Sequence, residues 1–359
     1  MADPGTRTAE KHNIPSLDGL RAASIFIVVL AHSSCYLPHF VAGSGLFRCV
    51  IGGGLHGVEV FFVISGFLIT TLLVRERQAR GSISLKRFYL RRTLRIFPPF
   101  YAYLAVLSVL WIAKILPEHP KSFIAASTYT ISWMAHPQGW AVEHAWSLSI
   151  EEQFYLIWPV LLVWAARRSR ALFTSLAFLA VTPLVRMAAA SSHIHDPAIS
   201  NHFTVITESV DTLMVGCLLA LVRGNEGWEN WRKRWINSWT AAAMTVTGFA
   251  LIPYAAGKLT HGIAFVTISA LAPTLTAVAM GWTLIYLVEN RESIAGRILN
   301  IELVRHIGVI SYGIYLWQEL FTLYPPSMLP LGFLGMFVAA EASYWCLERP
   351  LMRLRARLR

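Results

Sequence analysis

SLDGLRAASIFIVVLAHSSCYLP, residues 16–38, carries no charge between Ala22 and Ala31, yet Arg21 stands at one end of that run and His32 at the other. A stretch this long and this apolar reads as a helix crossing a bilayer. On an α-helix the step from Arg21 to His32 advances the side chain by about 16 Å, through roughly three full turns. The two side chains then lie within ~20° of one face, so a cation near the start of the span and an imidazole near its middle point into one crevice. The plainer reading has Arg21 snorkelling to the headgroups and His32 bonded to a neighbouring helix. Ionisable groups at membrane depth are costly, which makes both residues candidates for function.

The rest of the chain repeats the pattern. Hydrophobic residues make up 55% of the 359 residues and charged residues only 14%, with a mean hydropathy of +0.51. Those values do not suit a soluble domain. Spans are expected near 18–38, 57–74, 96–116, 146–166, 171–190, 207–223, 238–256, 263–288, 307–324 and 331–348. The predicted fold is all-α, a polytopic transmembrane bundle of about ten spans. The first seventeen residues are polar and no small-residue cleavage site follows the first run, which is therefore read as a retained span.

Orientation follows from the basic residues. Arg75, Arg77, Arg80, Lys86, Arg87, Arg91, Arg92 and Arg95 mark one loop as cytoplasmic; Arg167, Arg168 and Arg170, then Arg232 to Arg234, then Arg291, Arg297 and Arg305 mark three more. The opposite side carries only Arg48, Lys114, Lys121, Arg186 and Lys258. Both termini are expected inside, and the net charge of +11 reports topology rather than nucleic-acid binding. Phe123 to Ala135 is apolar but short, and reads as an interfacial or re-entrant piece of the outer loop 117–145. The chain is expected to be one membrane domain over 1–359, with a short cytoplasmic tail at 1–15 and a basic one at 349–359. Cys35, Cys49, Cys217 and Cys346 have no metal-like spacing and no metal site is expected. Only Cys35 and Cys49 can share a side of the membrane, and all four are read as packing residues.

Several motifs bear chemistry. GGGLHGVEVFFVISGFLIT, residues 52–70, carries Glu59 into the membrane, while Gly57 and the Ser65-Gly66 pair suit close helix packing. LRRTLRIFPPFY, residues 90–101, puts Arg92 and Arg95 on one helix face. Such a cluster serves as a topology signal and equally as a phosphate-recognition patch, since guanidinium forks match phosphate oxygens. No Gly-rich phosphate loop is present, so a nucleotide would be held by side chains. HAWSLSIEEQFYLIWP, residues 144–159, lines up Ser147, Glu151 and Tyr155 every four positions. Ser147 reads alternatively as a helix N-cap and His144 as an interfacial residue. ESVDTLMVGCLLAL brings in Glu208 and Asp211, and GVISYGIYLWQELF sets Tyr312, Tyr315 and Glu319 on one stripe. The expected site has arginines at its cytoplasmic mouth, His32 in the middle and acids in its outer half.

Taken together and in this order, these motifs resemble the acyltransferase-3 family of integral membrane O-acyltransferases. The resemblance runs from about Pro15 to Pro350. It rests on the Arg21-to-His32 spacing, GVEVFFVISGFLI, RRTLRIFPPFY, WSLSIEEQFYLIWP, DTLMVGCLLA, ISYGIYLW and the terminal ERP at 348–350. It implies transfer of an acyl group, commonly acetyl from cytoplasmic acetyl-CoA, to a hydroxyl of a cell-surface glycan or another acceptor, and with it a bacterial inner-membrane location. It also implies importance for Arg21, His32, Arg92 and Arg95. The family commonly has Asp where this chain has Glu59. Many members have histidine where this chain has Gln318, and glutamine cannot shuttle protons. No appended esterase-like domain, which some relatives carry, is expected here.

The expected roles follow. Arg91, Arg92 and Arg95 would hold the coenzyme phosphates, with the thioester arm reaching past Arg21. His32 would act as general base or as transient acyl carrier. Glu151 would polarise His32 or the acceptor. Glu59 and Asp211, with Ser147, Tyr155 and Tyr315, would bind the acceptor. A secondary transporter of a small solute or acylated product shares the spans and the buried charges, and a scaffold in envelope-polymer assembly would tolerate changes at Arg21 and His32. The ordered motifs favour the enzyme.

Overall fold

The apolar runs become helices, and among the described residues no strand forms. The computed structural model describes residues 14, 16–34, 44, 47, 51, 54–117, 119–134, 137–165, 167–191, 197–258, 262–322 and 328–356. Cys35, Cys49, Arg48, nearly all of the N-terminal tail and the last three residues of the C-terminal tail lie outside the described residues.

The first half of the chain comprises α1 (Leu17–His32), α2 (Leu55–Arg80), α3 (Leu85–Ile112), α4 (Pro120–Ser127), α5 (Trp140–Glu143) and α6 (Ala145–Ala165). Then follow α7 (Arg168–Ser191), α8 (Pro197–Val222), α9 (Glu226–Trp235), α10 (Ser238–Val246) and α11 (Ile252–Lys258), the last two joined by a π-helical segment, Thr247–Leu251. The chain continues through α12 (Gly262–Glu289), α13 (Ile294–Leu299), α14 (Glu302–Phe321) and α15 (Leu329–Ser343). A second π segment, Tyr344–Glu348, leads from there into α16 (Arg349–Ala356).

Among the described residues, seven helical stretches are long and apolar enough to cross a membrane: α2, α3, α7, the last part of α8, α10 with α11, α12, and α15 with α16. Three expected spans fall outside that set for a physical reason. α1 is only 16 residues long. In α6 and α14 the hydropathy is diluted by Ser147, Glu151, Glu152 and Gln153, and by His306, Gln318 and Glu319. All three of these helices carry polar groups into the bundle.

Small residues set the closest approaches. A Cβ added at Gly66 on α2 would sit 2.1 Å from the Leu213 carbonyl oxygen on α8, and one at Gly216 on α8 would sit 2.2 Å from the Val63 carbonyl oxygen. The two backbones touch because neither glycine has a side chain, the usual device of helix pairs in lipid. α14 packs along α1, which brings the end of the first helix beside the end of the fourteenth.

Of the segment from Phe123 to Ala135, residues 123–134 are described and form the end of α4 and a 3-10 turn, Ile131–Trp133, packed on α3 and α6. Tyr129 stacks on Phe97 at 5.5 Å and leans on Phe100 at 4.8 Å. Gln153 on α6 donates to the Tyr129 carbonyl at 2.9 Å and to Ser132 Oγ at 3.1 Å.

Candidate active site

Three cavities lie in file beside α2. At the arginine end, a cleft of about 460 Å³ is bordered by Glu76, Arg91, Arg92 and Arg95. Next comes a cavity of about 780 Å³ lined by Arg21, Ser65, Arg92, Glu151, Tyr155 and Tyr312. The third, of about 810 Å³, holds His32, Glu143, His144 and Glu319. The first two share Leu68, Ile69, Arg92 and Arg95. The second and third share Val58 and Tyr315. From Glu76 to Gly54 α2 rises by about 33 Å, close to the ~30 Å of a bilayer's hydrocarbon core.

Arg92 organises the middle cavity. Ser84 caps α3 by accepting from the Arg87 N–H at 3.4 Å, which fixes where this arginine-bearing helix begins. The Arg92 guanidinium lies 3.5 Å from the centroid of the Tyr155 ring, a cation–π stack. Its Nη2 is 3.4 Å from Glu151 Oε1 and its Nε 3.7 Å from Glu152 Oε1. Glu151 also accepts from the Tyr155 and Ser65 hydroxyls. Tyr312 donates to the Ile96 carbonyl at 3.0 Å, tying α14 to α3. Arg21 opens onto the same cavity, and Glu348 of the terminal ERP is buried within electrostatic reach of Arg95 and Arg21.

The third cavity is built around an imidazole with both nitrogens engaged. His32 Nδ1 lies 2.8 Å from the Val28 carbonyl oxygen, and Nε2 lies 3.0 Å from Glu319 Oε1. A carbonyl oxygen only accepts, so Nδ1 carries a hydrogen and Nε2 is the nitrogen left for chemistry. Nε2 and Glu319 therefore share the exchangeable proton. Gly54, at φ +86°, lets the start of α2 close over this ring: a Cβ there would be 3.2 Å from Ala31 Cβ and 3.6 Å from His32 Cε1.

Two further groups face the same space. Burial raises the Glu143 carboxyl above its ordinary value, and the neighbouring charge of Glu319 adds to the effect. Burial pushes His144 down to about 4, so its ring is neutral near pH 7. Neither ring nitrogen of His144 has a hydrogen-bond partner among the described residues. Between the middle and third cavities Tyr315 donates to the His144 carbonyl at 2.9 Å and shares a 2.6 Å hydrogen bond with Ser147 Oγ.

The structure gathers Arg21, Arg92, Arg95, Ser147, Glu151, Tyr155 and Tyr315 around one cavity. It redistributes the other expected site residues. Arg21 and His32 lie along one route but in successive cavities, separated by Val58 and Tyr315. The acid beside His32 is Glu319, not Glu151, because α14 rather than α6 packs on the end of α1. Arg91 sits at the arginine-end cleft, 3.3 Å from Glu76. Ser147 is no N-cap; its hydroxyl lies inside the bundle between His144 and Tyr315. His144, expected at the interface, is only 4% exposed and faces the His32 cavity.

Two expected acceptor-binding acids are spent on structure instead. Glu59 is bonded to His56 Nδ1 at 2.7 Å and lines none of the three cavities. Asp211 has no exposed surface. It pairs with Arg186 Nη2 at 2.7 Å and accepts from Thr274 at 2.6 Å and from Thr182. Arg186 Nε also donates to the Ala270 carbonyl at 2.8 Å, so the pair staples α7, α8 and α12. Gln318, standing where many members of the resembled family have histidine, is fully buried away from all three cavities, and its amide has no partner among the described residues. Among the described residues no group of three or more His, Cys, Asp or Glu side chains is placed to hold a metal.

Fold and site together define a multi-pass helical membrane protein with a polar route through its core. It belongs to the acyltransferase-3 family, whose acyltransferase domain matches residues 14–345. The chain is 28% identical to the peptidoglycan O-acetyltransferase OatA of Listeria monocytogenes, over 97% of its own length and 57% of the relative's. It is 28% identical to the putative peptidoglycan O-acetyltransferase YrhL of Bacillus subtilis, over 96% and 56%. To the O-acetyltransferase OatA of Staphylococcus aureus it is 26% identical, over 95% and 57%. The chain thus spans a little over half the length of these relatives. No solved structure matches it.

Proposed function

We propose that the chain moves an acetyl group from acetyl-CoA, bound at the arginine end, to a hydroxyl of a cell-envelope glycan presented at the His32 end. The arginine end faces the cytoplasm of a bacterial cell and the membrane is the inner one. The observation that carries this reading is the file of cavities joining a guanidinium cluster to a reactive imidazole across about one hydrocarbon thickness. Guanidinium forks suit the coenzyme's phosphates, and the cavities beyond give its acyl-bearing arm a way toward His32.

The chemistry balances at His32 Nε2. As general base it takes the acceptor hydroxyl proton while the oxygen bonds to the acyl carbon. The C–S bond then breaks and the proton passes to the departing thiolate, giving free coenzyme A. As acyl carrier, Nε2 passes its proton to Glu319 and bonds to the acyl carbon as C–S breaks, the thiolate leaving with that proton. The acceptor oxygen then displaces Nε2 while its own proton passes to Glu319 and back to Nε2. In both courses Glu319 holds the proton that Nε2 gives up or receives, and the Val28 carbonyl fixes the ring orientation. The names of the relatives point to peptidoglycan as the glycan.

The test is coenzyme A release by the chain in nanodiscs, supplied with acetyl-CoA and soluble peptidoglycan strands, with His32→Ala alongside. Release that needs both the strands and His32 is the expected result. A His32→Ala variant that releases coenzyme A at the native rate would overturn the reading. So would solute uptake into vesicles that needs no acyl-CoA, which would make the chain a transporter.

A further inference from the structure

We propose that Trp140 and Glu143 form the subsite that holds a sugar ring of the acceptor glycan beside His32. The inference rests on the acyl-transfer reading above and deepens it by assigning the acceptor to named side chains. Both line the His32 cavity of about 810 Å³. They are the first and last residues of α5, three apart, and so share one face of its single turn.

The fold uses neither side chain for packing or pairing. Glu319, the other carboxylate of this cavity, is committed to His32 at 3.0 Å. Glu143 is exposed, and its carboxylate makes no hydrogen bond or ion pair among the described residues. It still lies within electrostatic reach of His32. Trp140 is half-buried, and neither its ring nor its N–H has a partner among the described residues. The indole also borders a neighbouring cavity of about 420 Å³, with Trp111 and Phe123, so it is a partition between two spaces rather than core filling.

The short helix that carries the pair is nonetheless held in place. Just before it the Gln138 N–H donates to Ser122 Oγ at 2.8 Å, within it the Ala141 carbonyl accepts from Tyr103 at 2.6 Å, and just after it the His144 carbonyl accepts from Tyr315 at 2.9 Å. Gly139, at φ +86°, turns the chain into α5 against the His119 ring, where an added Cβ would lie 2.7 Å away. α5 is thus tied to α3, α4 and α14.

The chemistry of the pair names its occupant. A pyranose presents a flat face of C–H bonds, which suits the electron-rich face of an indole. Its hydroxyl and amide groups supply the O–H and N–H donors that an uncommitted carboxylate accepts. A sugar ring lying on Trp140 and bonded to Glu143 occupies the same cavity as His32 Nε2, the atom that takes the hydroxyl proton. The ligand class is a pyranose bearing O–H or amide N–H donors.

The test titrates soluble peptidoglycan strands into the native chain, Trp140→Ala, Trp140→Phe and Glu143→Gln in nanodiscs, with coenzyme A binding as the check that each is folded. Trp140→Ala and Glu143→Gln are each expected to weaken strand binding by about tenfold. Trp140→Phe keeps a flat ring and should lose less. In steady-state coenzyme A release, Trp140→Ala and Glu143→Gln should raise KM for the strands by a similar factor, with a smaller change in kcat. Native strand affinity in Trp140→Ala or in Glu143→Gln would overturn the subsite while leaving the acyl-transfer reading, which stands on His32, intact. A fall in kcat with KM unmoved would overturn it too, because the side chains would then act on His32 and not on the sugar. Strand binding by the native chain without coenzyme A release would overturn the acyl-transfer reading and leave a glycan-binding site. A native chain that neither binds strands nor releases coenzyme A would overturn both.

Discussion

His32 Nε2 lies 3.0 Å from Glu319 Oε1, while Nδ1 of the same ring is committed to the Val28 carbonyl. One nitrogen orients the ring and the other shares a proton with a carboxylate. His32→Ala is expected to lower turnover by about 10²–10⁴-fold. Glu319→Gln should cost nearly as much, because an amide N–H would donate to Nε2 and occupy its lone pair. Glu319→Asp keeps the charge and should recover part of the rate. Steady-state rates of coenzyme A release, with coenzyme A affinity as the control, distinguish this from a structural role: in all three variants donor binding should stay near native.

Arg92, which the proposed function places at the donor, is stacked on Tyr155 and paired with Glu151. Lysine preserves the charge but not the planar fork or the stack. Arg92→Lys is expected to weaken coenzyme A binding by about 1.5–3 kcal/mol, the value of hydrogen bonds to charged groups. Isothermal titration with coenzyme A reads this directly, and native affinity in the variant would remove Arg92 from the donor site.

The Arg186–Asp211 staple predicts instability rather than a specific loss of catalysis. Both side chains are buried, so removing one partner strands the other charge. Asp211→Ala should cost about 3–5 kcal/mol and lower the thermal midpoint in detergent. Replacing both partners, Arg186→Met with Asp211→Leu, should recover most of that loss, because no uncompensated charge remains. A double variant as unstable as the single one would show that the pair does more than neutralise itself.

The α2–α8 contact predicts a steric failure. Gly66→Leu would force a side chain into the space now filled by the Leu213 carbonyl, and overpacking of this kind costs about 1–3 kcal/mol. Thermal midpoints of Gly66→Leu and Gly216→Leu should both fall. A midpoint unchanged in either would mean that the helices part more easily than their contact implies.

Much of this architecture was legible in the sequence because it is local. Apolar runs of membrane length became helices, Gly66 became a backbone contact, and Arg92, Glu151, Tyr155 and Tyr315 reached one cavity through their repeat along α3, α6 and α14. The ordered motifs from Arg21 to the terminal ERP carried the family. What periodicity could not say was which stripe faces which. Glu151 and Glu319 are both acids on polar helix faces, and nothing in their spacing tells which one meets His32.

Only the tertiary structure decided those pairings. It placed α14 on α1, giving His32 its carboxylate from the far end of the chain. It withdrew Asp211 and Glu59 into the bundle and divided the polar residues between successive cavities. The Ser147–Tyr315 bond joins residues 168 positions apart. Helix periodicity fixes the face a residue occupies and hydropathy fixes which stretches enter the membrane. In lipid, which faces then meet depends on close packing and on the satisfaction of buried polar groups across all the helices at once.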